Sequence, residues 1–97
     1  MANELRTKDG LIGELSSANL KIHLRGVAER AIDYVWYYMN HKSDRRVERE
    51  MVAYKNIRKD MVKAGVPLKD ISDYDNRFVN LPWAECGYQK PTLEELK

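Results

Sequence analysis

Asp33-Tyr34-Val35-Trp36-Tyr37-Tyr38-Met39-Asn40-His41 is the stretch on which the fold turns. It holds three of the chain's six tyrosines and one of its two tryptophans. Rich in β-formers, it invites a strand reading. A half-buried strand alternates apolar and polar residues with period two, and Val35-Trp36-Tyr37-Tyr38-Met39 does not. Upstream, the apolar positions recur with the helical period and run unbroken into the aromatics. At 100° per residue, Leu20, Leu24, Val27, Ala28, Ala31, Ile32, Tyr34, Val35, Tyr38 and Met39 share one face about 160° wide. Arg25, Glu29 and Asp33 lie opposite. The stretch therefore closes a helix running from about residue 18 to residue 40 or 41.

Two aromatics break that pattern. Trp36 projects onto the polar side and Tyr37 onto a flank, so the helix needs contacts on more than one side near its end. Either later segments of the chain cover Trp36, or it anchors a partner, as large aromatics do at interfaces. Gly26 sits mid-helix, where a glycine carries a cost that the close approach of another backbone would explain.

Lys42-Ser43-Asp44 reads as a turn, with Ser43 or Asp44 capping a second helix over about residues 44–64. Gly65 is placed to end it in the left-handed conformation, with Pro67 just beyond. Val47, Met51, Tyr54, Ile57 and Met61 form its apolar stripe. So short a turn predicts an antiparallel hairpin. Pro67 opens a third helix over about residues 67–77 that buries Leu68, Ile71, Tyr74 and Phe78. Residues 79–91 read as extended loop, punctuated by Pro82, Gly87 and Pro91. Thr92-Leu93-Glu94-Glu95 is a capping box opening a last turn or two. Before the hairpin, Gly10 and Gly13 limit residues 3–16 to a short or broken helix. The prediction is an all-α single domain over residues 1–97. It comprises a weakly ordered segment (1–16), a helical hairpin (17–65), and a short helix with a tail wrapped over the hairpin (66–97).

Ninety-seven residues make one domain, and a chain this short hides only about 60–65% of its unfolded surface. Oligomerisation would help it. Cys86 is the only cysteine, which excludes an internal disulfide and points to a reducing compartment, here read as the cytoplasm. No apolar run reaches the roughly 20 residues of a membrane span, and no signal peptide is evident. The net charge of +2 hides an uneven distribution. Residues 1–40 carry five basic and five acidic groups; residues 41–63 carry eight against four; the remainder carries four against six.

The basic middle gives one candidate surface. Arg45, Arg49, Asn56, Lys59 and Lys63 fall within about 80° of one another, opposite the apolar stripe. The row is about 27 Å long and suits a phosphate backbone, although Glu48 and Asp60 dilute its margins. Arg58 is the anomaly of that helix. It projects into the centre of the apolar stripe, where it must snorkel, pair with an acid or aromatic, or meet a partner.

Motifs for chemistry are sparse. His23 and His41 share a side but stand about 27 Å apart. Asp70, Asp73 and Asp75 cluster in sequence, but a calcium loop starting at Asp73 would put Phe78 at the required glycine and Ala84 at the required glutamate. Asp73 and Arg77 have the spacing of a helical ion pair. Phosphate-binding glycine loops, serine elbows and paired catalytic carboxylates are missing. Residues 60–71, Asp-Met-Val-Lys-Ala-Gly-Val-Pro-Leu-Lys-Asp-Ile, resemble the turn of helix-turn-helix regulators such as the MerR family. Three aspartates occupy the helix that would have to meet DNA, so the segment reads as a helix corner.

The expected function is a non-enzymatic binding module acting through protein–protein contact and self-association, with Trp36, Tyr37 and Arg58 as candidate interface residues. The alternative is sequence-tolerant nucleic-acid binding through Arg45, Arg49, Asn56, Lys59 and Lys63, of the kind seen in small helical phage or mobile-element accessory proteins. No cofactor, metal or small-molecule substrate is expected.

Overall fold

The computed structural model describes residues 17–97. The expectations for residues 1–16 lie outside that range. Among the described residues, three α-helices succeed one another: α1 (Ser17–Asn40), α2 (Asp44–Ala64) and α3 (Leu68–Val79). A 3-10 turn, Glu94–Leu96, follows in the tail. α1 and α2 form the expected antiparallel hairpin, and α3 packs against both.

Local signals set the helix ends. Lys42 takes a left-handed backbone conformation, φ 55°, to reverse the chain. Ser43 occupies the N-cap position of α2, but its side chain makes no capping bond. Its carbonyl instead accepts from the backbone of Arg46 and Val47, each at 2.9 Å. At the other end Gly65 adopts φ 82° and donates to Val62 O, while Val66 donates to Met61 O. That pair of bonds is a Schellman motif, and the two positions that flank it, Met61 and Val66, are both buried. Thr92 and Glu95 form the reciprocal capping box: Thr92 N donates to Glu95 Oε1 (2.8 Å) and Glu95 N to Thr92 Oγ1 (3.2 Å).

The core draws on every element. Leu24, Ala28, Ala31, Ile32, Val35 and Met39 come from α1; Val47, Tyr54 and Met61 from α2; Ile71, Phe78 and Val79 from α3. Trp83 and Leu96 enter from the tail. Phe78 stacks on Tyr54 with ring centres 4.5 Å apart, and Trp83 tilts against Phe78 at 5.4 Å. The Trp83 indole also donates to Phe78 O at 3.0 Å, so its polar edge is satisfied inside the core.

Four expectations need correction. α3 continues two residues past 77, because Phe78 and Val79 are both core residues. Leu68, expected to be buried, is 74% exposed at the first position of α3. Tyr34 lies at the edge of the apolar face and is half exposed. Residues 79–91 are not extended up to Tyr88: bonds from Cys86 N to Pro82 O and from Tyr88 N to Trp83 O wind the chain into successive turns around the Trp83 anchor.

Candidate functional site

The outer surface of the hairpin presents three arrangements built from the candidate residues. The first is aromatic. Tyr34, Trp36 and Tyr37 are each about half exposed on the last turns of α1. The tail reaches the core with its own tryptophan and does not cover Trp36. Tyr37 is held in place: its ring stacks on His41 at 4.1 Å and meets the Tyr38 ring edge-on at 5.3 Å. His41 Nδ1 lies 2.8 Å from Tyr37 O, which fixes the imidazole against the helix end. Arg46, at the start of α2, donates to the Tyr38 hydroxyl at 3.0 Å and lies over its ring at 5.3 Å. Tyr38 thereby connects the aromatic patch to the basic helix.

The second is the cationic row. Arg45, Arg49, Asn56, Lys59 and Lys63 are all solvent-exposed on α2. Among the described residues none of these four cations is in an ion pair. Val52 is also exposed between Arg49 and Asn56, giving the row an apolar interruption.

The third is buried and belongs to the fold. Arg58 turns inward and donates from Nε to both carboxylate oxygens of Asp75, at 2.9 and 3.2 Å. The Tyr54 hydroxyl donates to the same carboxylate at 2.7 Å. Asp75 is 5% exposed. Of the roles open to Arg58, the structure shows internal pairing with an acid; its guanidinium is committed to α3. Burial first, and then the bond to the Asp75 carboxylate, push the Tyr54 phenol well above its ordinary range.

The three neighbouring aspartates do not converge. Asp70 pairs with Arg25 of α1 at 2.6 Å, Asp73 with Lys69 at 3.4 Å, and Asp75 with Arg58. The expected Asp73–Arg77 pair is not formed; Arg77 reaches Glu29 on α1 at 3.5 Å and lies over the Tyr74 ring. Burial, followed by the nearby Glu29 carboxylate, raises the Tyr74 phenol. Among the described residues no group of three or more His, Cys, Asp or Glu side chains is arranged to hold a metal ion. His23 is exposed on α1, away from His41. Cys86 is half-buried, its Sγ 4.0 Å from Asn40 Oδ1.

The tail is fastened at the hairpin turn. Lys42 Nζ donates to Cys86 O, and the Tyr88 hydroxyl donates to Asp44. That bond, more than partial desolvation, pushes the Tyr88 phenol up to about 12. Asp44, expected as one of two candidate capping residues, is instead the first residue of α2, and its carboxylate receives the tail.

Sequence reading passed over Trp83 and took Asp75 only as one of three clustered aspartates. Asp75 shares the α3 face of Ile71, Phe78 and Val79, and an arginine in the α2 stripe called for an acid; together these single it out. Among the described residues no helix is long and apolar enough to cross a membrane. Comparison with protein-family models, curated proteins and solved structures returns no match.

Proposed function

We propose that this chain is a non-enzymatic binding module of a reducing, cytoplasmic compartment, acting through protein–protein contact and self-association. The observation that carries the reading is the exposed aromatic face of α1. Tyr34, Trp36 and Tyr37 stand half exposed beside a core that the chain completes with Trp83 instead. Large, rigid aromatics supply contact area at little entropic cost and dominate interface energetics. Clustered exposure of this kind is uncommon on isolated monomers.

The test is solution mass by light scattering over a dilution series up to tens of micromolar, with Trp36→Ala and Tyr37→Ala compared with wild type. Self-association that weakens in both variants supports the reading. A monomer throughout, with no partner-dependent change in Trp36 fluorescence, refutes it.

A second reading has its own observation: the exposed cations Arg45, Arg49, Lys59 and Lys63 along one face of α2, in no ion pair among the described residues. Such a row binds nucleic acid without sequence preference and with steep salt dependence. Duplex and single-strand retention at low and moderate salt tests it. Binding that survives Arg49→Glu with Lys59→Glu removes this face from the account.

A further inference from the structure

The outer face of α1 carries a pattern that the packing of the described residues does not explain. Ile22, Gly26, Asp33, Tyr37 and Asn40 follow one another along a single stripe, with Arg30 and Trp36 on opposite flanks. Ile22 is 61% exposed, and Tyr37 and Trp36 are half exposed. Gly26 costs the helix about 1 kcal/mol relative to alanine. Among the described residues nothing requires it: a methyl group there would meet only Arg30 Nη1, at 4.0 Å. Arg30 and Asp33 are exposed, and among the described residues neither forms an ion pair.

We propose that this stripe is an isologous interface: α1 pairs antiparallel with α1 of a second copy, setting Arg30 against the partner's Asp33 and Gly26 against the partner's Tyr37. The inference rests on the protein-contact reading and names the partner and its orientation. One register satisfies both contacts together, and it also sets Ile22 beside the partner's His41. Gly26 and Tyr37 lie toward the same flank of the stripe, and a two-fold axis between antiparallel helices maps each flank onto itself. Each contact therefore occurs twice. The missing side chain at Gly26 leaves the depression that a tyrosine ring fills.

The charges select the orientation. Parallel pairing in register would set Arg30 against Arg30 and Asp33 against Asp33, which is repulsive at both positions. Antiparallel pairing turns the same four groups into two ion pairs over an overlap of about 28 Å. Asp33 in the stripe, with Glu29 beside it, also makes this face a poor surface for phosphate, so a second copy fits better than nucleic acid.

The experiment is sedimentation velocity on the full chain over a concentration series, with circular dichroism to establish folding of each variant. Arg30→Glu places like charges at both contacts and raises the dimer dissociation constant roughly tenfold or more. Adding Asp33→Arg to that variant restores attraction with reversed signs and recovers dimerisation to within about threefold of wild type. Gly26→Leu fills the depression and shifts the chain toward monomer while leaving the protomer's melting temperature equal or higher. A dimer indifferent to all three variants overturns this interface and leaves self-association through another surface standing. A wild-type monomer throughout overturns the self-association reading as well.

Discussion

Replacing Asp75 with asparagine tests the packing of α3 on the hairpin at one atom. The carboxylate is 5% exposed and accepts from Arg58 Nε at 2.9 Å and Tyr54 Oη at 2.7 Å. Asp75→Asn keeps the shape and one acceptor oxygen but leaves the Arg58 charge unpaired in a site where its side chain is only 15% exposed. Breaking a buried ion pair from one side costs about 3–5 kcal/mol. Arg58 keeps a narrow path to water, so the low end, about 3 kcal/mol, applies. A domain of this size is stable by about 5–15 kcal/mol, so the variant folds but melts roughly 12–24 °C lower. Urea unfolding followed by circular dichroism gives the difference from the midpoint, provided the slope is unchanged. The control is the triple variant Tyr54→Phe, Arg58→Met, Asp75→Leu, which removes every polar group of the network together. It should be more stable than Asp75→Asn, since no charge or hydroxyl is left buried and unpaired. A cost below about 1 kcal/mol for Asp75→Asn, or a triple variant no better than the single one, would refute the reasoning.

Tyr54 makes stability fall in alkali. The unfolded chain loses this phenolic proton near pH 10, while the native phenol is raised and keeps it, so the stabilisation is complete below about pH 10 and is lost as pH rises further. Tyr54→Phe should flatten stability against pH above 10, as seen in denaturant midpoints. Tyr88 should titrate at about 12 by ultraviolet absorbance, and Asp44→Asn should bring it down toward the ordinary tyrosine range. Trp83→Ala should cost about 3–5 kcal/mol by urea unfolding, because the ring is 1% exposed and bridges tail to core. Gly26→Ala, measured dilute enough to keep the protomer alone, should gain about 1 kcal/mol, since among the described residues its methyl group meets only Arg30 Nη1, at an ordinary van der Waals distance.

The hairpin was legible because its limits are encoded locally. Lys42-Ser43-Asp44 and Gly65-Val66-Pro67 each act through their immediate neighbours, and so does the capping box of Thr92 and Glu95. What escaped reading depends on residues far apart in the chain. Asp70, Asp73 and Asp75 differ in the helix face they occupy, but that Asp75 meets Arg58 depends on the packing of α3 against α2, two elements separate in the chain. Trp83 lies in a segment with no helical period to give it a face, yet the tail's turns carry it into the core and leave Trp36 half exposed. Of the candidate site residues, Trp36, Tyr37 and the α2 cations could be placed on outward faces from periodicity alone. Tyr34 was misplaced because a residue at the edge of a 160° face is exposed or covered according to its neighbours.

The fastening of the tail at Lys42 and Asp44 has a kinetic side. Both partners, Cys86 and Tyr88, lie 44 residues further along the chain. The turn must already be made before the tail has anything to hold, so helix pairing precedes tail closure. Weakening the latch with Tyr88→Phe should then quicken unfolding and leave the refolding rate nearly unchanged. Among the described residues the C-terminal segment would be the first to open, exchanging its amide hydrogens ahead of α1 and α2.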